Sequence, residues 1–276
     1  RGRQDVASAV AATVDGADAA SLRAFAAHTF REPRGYRARL DAAVHAWRVD
    51  KTADAETTVV ALAGAEAIPE GALRVRWLGA HGDALLDVGR GAEAATTLRE
   101  GAEVAERVGW LAQAASLWGR AGSAHGRDRD LASAADAFRR QAEIHQKTGD
   151  RVRRAMATAD MGLALRRIGD LGPAVAAYGT ALDALEPTTR PTVRATILAR
   201  RAGALSAGGD FAGAFRDIAA ALGALDTQGP PTATRERALA RVESQMALAT
   251  LFNRLGDVVR ARASARSALA ILDGES

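Results

Sequence analysis

The feature that most constrains this chain is a repeat with a period of 40 residues. In four copies a short turn precedes an alanine, and a large apolar residue follows four positions later. The alanines that mark these copies are Ala94, Ala134, Ala174 and Ala214. A further copy has Ala261, 47 residues on (261 − 214), and the additional residues coincide with a loop at Pro230-Pro231. A fixed period in this range predicts a solenoid of stacked repeats.

The best-formed copy, residues 156 to 187, predicts a helical hairpin. Apolar and small residues recur there every three or four positions, and Gly169-Asp170 divides the run into two helices. Small side chains let the two backbones approach closely, and larger ones fill the space beside them. The residues expected at this contact are Gly162, Leu165, Ala174, Tyr178, Ala181 and Leu185. One hairpin cannot bury its own apolar face, so neighbouring repeats must stack.

The composition favours a helical protein and excludes several other classes. Hydrophobic residues are 48% and charged residues 25% of the 276 residues, as in ordinary globular chains, and alanine, the best helix former, is abundant. The absence of cysteine excludes disulfides and thiolate metal sites. No apolar run is long enough for a transmembrane helix, and no secretory signal is visible. We therefore expect a cytoplasmic protein.

The predicted fold is all-α: a right-handed α-solenoid, or superhelix, of stacked antiparallel helix pairs. We expect residues 1–276 to form a single domain, with irregular N-terminal helices in residues 1–50 and tandem repeats in residues 51–276. The N-terminal helices are predicted over residues 4–14, 20–30 and 36–47. The chain begins with Arg1 and reaches Leu272 without a further capping helix, which is expected of a fragment of a larger protein.

Three of the copies resemble the tetratricopeptide repeat (TPR). That family places a large residue and a small pair on the first helix, and an alanine followed four residues later by an aromatic on the second. The residues that carry the resemblance are Trp118, Ala121, Gly122, His125, Ala134 and Phe138; then Met161, Gly162, Leu165, Ala174, Tyr178, Ala181 and Pro187; and Leu78, His81, Gly82, Leu85, Ala94 and Leu98. The 40-residue step is similar to the longer repeats of kinesin light chains and bacterial regulator domains. The resemblance covers residues 72–273.

A second stripe of polar residues lies to one side of the packing positions on each first helix, and in the TPR family it corresponds to the ligand-facing concave wall. The candidate partner-binding residues on this stripe are Arg76, Asp83, Asp87, Arg120, Ser123, Arg127, Asp160, Arg166, Arg167, Arg200, Ser206, Asn253 and Arg254. One interpretation is a groove for an acidic peptide or a carboxylate terminus, because arginine pairs with carboxylates through two parallel hydrogen bonds. The other is a solvated face that reflects an arginine-rich chain. The sequence leaves both open.

Other partners and chemistries are less favoured. The 37 basic residues are offset by 33 acidic ones and aromatics are few, which argues against nucleic acid, and faces of mixed charge argue against a membrane surface. No histidine pair has metal-ligand spacing, and no nucleotide-binding motif is present. Asp83 and Asp87 could be mistaken for an acid–base pair, although a solvated pair is the simpler interpretation.

The sequence thus predicts a non-enzymatic scaffold, without cofactors, that binds a protein or peptide partner through an arginine-rich groove. In one of the two interpretations the bound segment is acidic. The alternative is a sensory or regulatory module of a larger signalling protein or transcriptional regulator, in which ligand binding changes the curvature of the superhelix.

Overall fold

A computed structural model describes residues 71–186, 190–226 and 235–273, together with Leu40, Asp41, Val44, Val59, Leu62, Ala63 and Ile68. The three continuous ranges hold ten α-helices and no strand. The helices are α1 (Ala72–Asp87), α2 (Gly91–Arg107), α3 (Leu111–Arg127), α4 (Leu131–Lys147), α5 (Arg151–Ile168), α6 (Leu171–Asp183), α7 (Pro191–Ala207), α8 (Phe211–Asp226), α9 (Arg235–Arg254) and α10 (Val258–Leu272).

Short turns join most of these helices, and their sequence explains where each helix ends and the next begins. A residue with positive φ, such as Gly149 at 74°, ends one helix, and the aspartate after it caps the next. The side chain of Asp150 accepts a hydrogen bond from the backbone N–H of Arg153 at 2.9 Å, and Asp257 accepts one from Arg260 at 3.0 Å. Each cap satisfies an N–H group that has no partner within the helix.

The turns before α2 and α3 lack the aspartate, because an arginine and a tryptophan stand at their N-caps without a side-chain capping bond. Two of the other turns depart from this arrangement for identifiable reasons. Asp170 stands at the N-cap of α6 without a side-chain hydrogen bond, because the residue three positions on is Pro173, which has no N–H to donate. Between α3 and α4 the left-handed position belongs to Arg129, with φ of 62°, where the equivalent turn before α6 has Gly169. An L-residue with a side chain is strained in that conformation.

The chain divides into two compact units, Arg1–Ala137 and Phe138–Ser276, and the division falls within α4. In the first unit α1 packs against α2, and α2 packs against α3. A Cβ atom at Gly101 would lie 3.1 Å from the side chain of Leu78 and 3.3 Å from that of Leu117, so a small residue is needed where these helices cross. Trp77 is fully buried, and its indole Nε1 donates to the carbonyl oxygen of Leu62 at 2.6 Å.

In the second unit the pairs α5–α6, α7–α8 and α9–α10 stack through α6 with α7, α7 with α9, and α8 with α9. The predicted contact of the first pair is confirmed. A Cβ atom at Gly162 would lie 3.1 Å from the Tyr178 ring, and Tyr178 is itself fully buried. Tyr178 and Leu185 share one apolar cluster with Ile197 of α7, so the same residues hold the hairpin together and bind the next pair.

The predicted all-α architecture of helix pairs is confirmed. The right-handed winding and the single domain stay predictions. The three predicted N-terminal helices lie outside the described residues, apart from the few positions named above. Within the part of the chain that the structure describes, no helix is both long and apolar enough to cross a membrane.

Candidate functional site

A groove of about 360 Å³ lies beside α1 and α3 in the first unit. Its walls are apolar where Val75 and Leu117 face it, and Leu40 and Val44 from the segment before α1 also line it. The charged and aromatic residues that line it are Arg76, Asp83, Arg120, Asp41 and Trp110. Three of the thirteen residues predicted from the stripe are therefore brought together at one concave site.

Arg120 links the two first helices that form this groove. Its Nη2 donates to the carbonyl oxygen of Gly79 at 2.6 Å, and the same guanidinium forms an ion pair with the carboxylate of Asp83. The partners are 41 and 37 residues from Arg120, close to one repeat, so equivalent faces of α1 and α3 are side by side. The positive charge that the sequence assigned to Arg120 is therefore largely compensated within the fold.

The environment of Asp83 is unlike that of a solvated surface carboxylate. Burial raises the pKa of Asp83 above its usual range, more than the attraction of Arg120 lowers it, and the negative charge of Asp87 raises it further. The i,i+4 pair of aspartates that the sequence favoured as solvated is half-buried at Asp83 and exposed at Asp87.

Arg76 is the groove residue best placed to contact a ligand. Its guanidinium carbon lies 6.0 Å from the centroid of the Trp110 ring, at the limit of a cation–π contact. Arg76 is exposed, and it forms no ion pair with any residue that the structure describes. The edge of a guanidinium held over an aromatic face remains open to a planar carboxylate.

The other predicted residues of the first unit do not line the groove. The hydroxyl of Ser123 donates to the carbonyl oxygen of Gly119 within α3 at 3.0 Å. Arg127 is exposed in the last turn of α3, where a cation interacts favourably with the helix dipole. Asp87 ends α1 and is exposed.

A chain of charges joins three first helices in the second unit. Arg200 of α7 donates from Nη1 to Asp160 of α5 at 2.8 Å, and its Nη2 lies 3.5 Å from a carboxylate oxygen of Glu243 in α9. Burial raises the pKa of Asp160, against the opposing effect of Arg200. Burial disfavours the charged form of Arg200, but the two carboxylates outweigh it and raise its pKa. Two of the predicted residues are thus paired with each other.

Next to this chain lies a group of buried polar atoms with unused hydrogen-bonding capacity. Tyr178 Oη, Arg166 Nε and Glu243 Oε2 have no hydrogen-bond partner among the described residues. Arg166 reaches α7, where its Nη1 lies 2.7 Å from the place of a Cβ on Gly203, so only glycine leaves room for it. Burial raises the pKa of Tyr178 to about 12, although the positive charges of Arg166 and Arg200 oppose that rise.

The remaining predicted residues of the second unit do not form a cluster with these. Arg167 and Arg254 are exposed in the last turns of α5 and α9, which are favourable places for cations next to a helix C-terminus. Asn253 is exposed beside Arg254, whereas Ser206 is buried and its hydroxyl has no described partner.

The stripe missed two residues that the structure brings to these sites. Trp110 belongs to the turn before α3 rather than to a first helix, so a search along first helices passes over it. Glu243 lies 43 residues after Arg200, whereas the period is 40. Because the loop before α9 contains extra residues, the spacing alone does not show that Glu243 is equivalent to the stripe positions of the other repeats. A search for acidic residues about one repeat from each stripe arginine would have found Glu243.

No group of three or more histidine, aspartate or glutamate residues in the described ranges is arranged to hold a metal ion. His125 Nδ1 lies 3.2 Å from a carboxylate oxygen of Asp130, across the turn that joins α3 to α4. This contact connects the two ends of the turn between α3 and α4, and it is not part of a set of metal ligands among the described residues.

No protein-family model matches this chain, and no curated protein matches it in sequence. Solved structures do match. BtubC (BKLC) from P. vanneervenii is 14% identical over 89% of this chain and 91% of its own, with a TM-score of 0.58. A kinesin light chain of P. anserina with nearly identical TPR-like repeats is 15% identical over 74% and 97%, with a TM-score of 0.54. The apo form of RapI is 8% identical over 86% and 74%, with a TM-score of 0.62. At these identities the likeness concerns the fold alone, and the chain has a TPR-like helical solenoid fold.

Proposed function

We propose that this protein is a non-enzymatic scaffold, and that the groove beside α1 and α3 binds a short segment of a partner protein. The observation that carries the proposal is Arg76. It is a cation without an ion pair in the described ranges, held over the Trp110 ring at the edge of a concave, partly apolar groove.

The dimensions and chemistry of the groove support a peptide rather than a large flat partner. A volume of about 360 Å³ is at the small end of ligand pockets and accommodates a few side chains. Val75 and Leu117 offer apolar contact, and Arg76 offers directional hydrogen bonds. We therefore infer an extended segment with an apolar side chain next to an aspartate, a glutamate or a C-terminal carboxylate.

The ion pairs favour Arg76 over Arg120 as the contact to that carboxylate. A ligand that bound Arg120 would have to displace Asp83 and leave a half-buried carboxylate unpaired, which costs free energy. Arg76 demands no such exchange. We assign the exposed Arg127, Arg167 and Arg254 to long-range attraction of an acidic partner, which salt screens.

The test uses fluorescein-labelled peptides of ten residues that carry one acidic and one apolar position within random sequences, with fluorescence anisotropy as the readout. We expect saturable binding by a subset of peptides. Replacing their Asp or Glu by Asn or Gln should weaken binding at least tenfold, equivalent to about 1.4 kcal/mol. Arg76→Glu should have the same effect on the unaltered peptides.

The matched control is Arg99→Glu, which changes the charge equally at an exposed position of α2 outside the groove. It should alter affinity less than twofold. Equal losses for Arg76→Glu and Arg99→Glu would mean that net charge, rather than the groove, attracts the peptide. Binding that does not depend on the acidic residue would refute the assigned chemistry of the ligand.

A further inference from the structure

The charged side chains that line the groove of the first unit carry both signs in equal number. Arg76 and Arg120 are positive, and Asp41 and Asp83 are negative. Arg120 is already bonded to Asp83 and to the carbonyl oxygen of Gly79, whereas Arg76 has no ion pair in the described ranges. The groove therefore presents a ligand with an uncompensated cation and, separately, with two carboxylates that share one guanidinium.

The two carboxylates of the groove leave room for a further cation. Asp41 is exposed on the segment before α1 and forms no ion pair with any residue that the structure describes. Burial raises the pKa of Asp83 more than Arg120 lowers it, and the negative charge of Asp87 raises it further. Because a raised pKa means that the negative charge is poorly stabilised, a second cation near Asp83 would be favourable.

Arg76 and Asp83 lie at different places along the groove. They are seven residues apart, which is two helical turns, so they share one side of α1 at a separation of about 10 Å along its axis. Between them the groove is lined by Gly79 and Ala80, which have little or no side chain. Because an extended segment advances about 3.3 Å per residue, three residues span this distance.

We propose that the partner segment is dipolar: it carries an acidic residue that binds Arg76 and, about three positions away, a lysine or arginine that binds Asp41 and Asp83. The inference rests on the proposed function and names the ligand of the same groove more closely. A purely acidic segment would bring more negative charge towards the two aspartates, whereas a dipolar segment is complementary to both charged regions.

The probes are fluorescein-labelled peptides of eight residues with a leucine next to a glutamate and a lysine three positions from that glutamate. The dipolar peptide is made in both charge orders, because the chain direction in the groove is read from the tighter one. That peptide is compared with versions in which glutamine replaces the lysine or the glutamate. Fluorescence anisotropy with the full chain should show at least fivefold weaker binding of each singly charged version.

A variant of the exposed aspartate identifies the region that binds the lysine. Asp41→Asn should abolish most of the preference for lysine over glutamine, and it should leave the affinity for the acid-only peptide within twofold. Asp83 stays unaltered, because its removal would also free Arg120. The matched control, Glu103→Gln, removes an exposed carboxylate of α2 outside the groove and should keep the preference.

The outcomes separate this inference from the proposed function. If the acid-only peptide binds as tightly as the dipolar one, the dipolar ligand is wrong, while the acidic ligand at Arg76 stands. If loss of the glutamate has no effect, or if no peptide binds, both proposals are wrong. A preference for lysine that persists in Asp41→Asn would overturn the assigned position of the basic residue and with it the dipolar match.

Discussion

The helix pairs α5–α6 and α9–α10 are equivalent in the repeat, but side chains of different size lie at the contact between their helices. In α5–α6 the large ring of Tyr178 lies against Gly162, and a larger residue at position 162 would leave too little space for the ring. At the same positions, 87 residues later, α9–α10 has Ala265 and Ala249, two small side chains. The inner repeat buries its large residue completely, whereas Ala265 remains partly exposed.

The difference shows that equivalent positions of two repeats do not contribute equally to the free energy of unfolding. The same repeat position holds a fully buried tyrosine in α5–α6 and a partly exposed alanine in α9–α10. Because Tyr178 is completely buried, removed atoms leave a cavity there, whereas solvent already reaches the partly exposed Ala265. The comparison therefore predicts large effects of substitution in α5–α6 and small ones at matched positions of α9–α10.

The largest effect is expected from Tyr178→Ala, which should lower the free energy of unfolding by roughly 3–5 kcal/mol, the usual range for removal of a buried aromatic side chain. Chemical denaturation followed by circular dichroism measures it. Tyr178→Phe is the control and should cost nothing, because Tyr178 Oη has no described hydrogen-bond partner. If Tyr178→Ala lowers the free energy of unfolding no more than Ala265→Gly does at the matched position of α9–α10, the predicted difference between the two helix pairs is wrong.

A smaller effect of the same residue should appear at high pH. The pKa of Tyr178 is raised from 10.0 to about 12, so the folded state holds this proton more tightly than the unfolded chain does. Its contribution to stability is complete below pH 10 and is lost as the pH rises towards 12. The loss should be on the order of 2–3 kcal/mol. Urea denaturation at several pH values should show this decline, and Tyr178→Phe should lack that part of it.

Next in size is an overpacking substitution at the alanine that marks the repeat. Ala174→Leu should destabilise the protein by roughly 1–3 kcal/mol, because Ala174 is completely buried in the α5–α6 contact. Ala261→Leu, at the same position of α9–α10, should cost less, because Ala261 is 9% exposed whereas Ala174 is completely buried. Thermal melting followed by circular dichroism compares the two. Equal losses would show that the terminal pair is packed as tightly as the inner one.

The smallest effect extends the comparison to the turns. Arg129→Gly should stabilise the protein by about 1 kcal/mol, because glycine adopts the positive φ of 62° without the strain of a side chain. The reverse change, Gly169→Arg, should destabilise the inner turn by a similar amount or more, since Gly169 has φ of 104°. If Arg129→Gly instead lowers the melting temperature, the arginine side chain makes a contact that stabilises the fold by more than the backbone strain destabilises it.

Much of the fold could be predicted from sequence because its signals are local. The Gly-Asp turns combine a residue that tolerates positive φ with an aspartate that caps a helix, and both effects act within four residues. The contact of Gly162 with Tyr178 was predictable too, since only a small residue opposite a large one lets two helices approach.

The candidate site could be predicted only in part, because its chemistry depends on which charges meet. The sequence identified Arg76, Arg120 and Arg200 as equal members of one arginine-rich stripe. The fold pairs Arg120 with Asp83, and Arg200 with Asp160 and Glu243, and it leaves Arg76 over Trp110. A one-dimensional spacing shows that two residues share a face, but not that their side chains meet.

The amino-acid sequence by itself determined the 40-residue period, the helix pairs and the turns, because each follows from contacts within or between adjacent elements. Only the tertiary structure decided which charges are compensated and which buried polar atoms have no hydrogen-bond partner among the described residues. These properties arise when successive first helices lie side by side. At that point residues about one repeat apart become neighbours, and burial rather than composition sets what each charge can do.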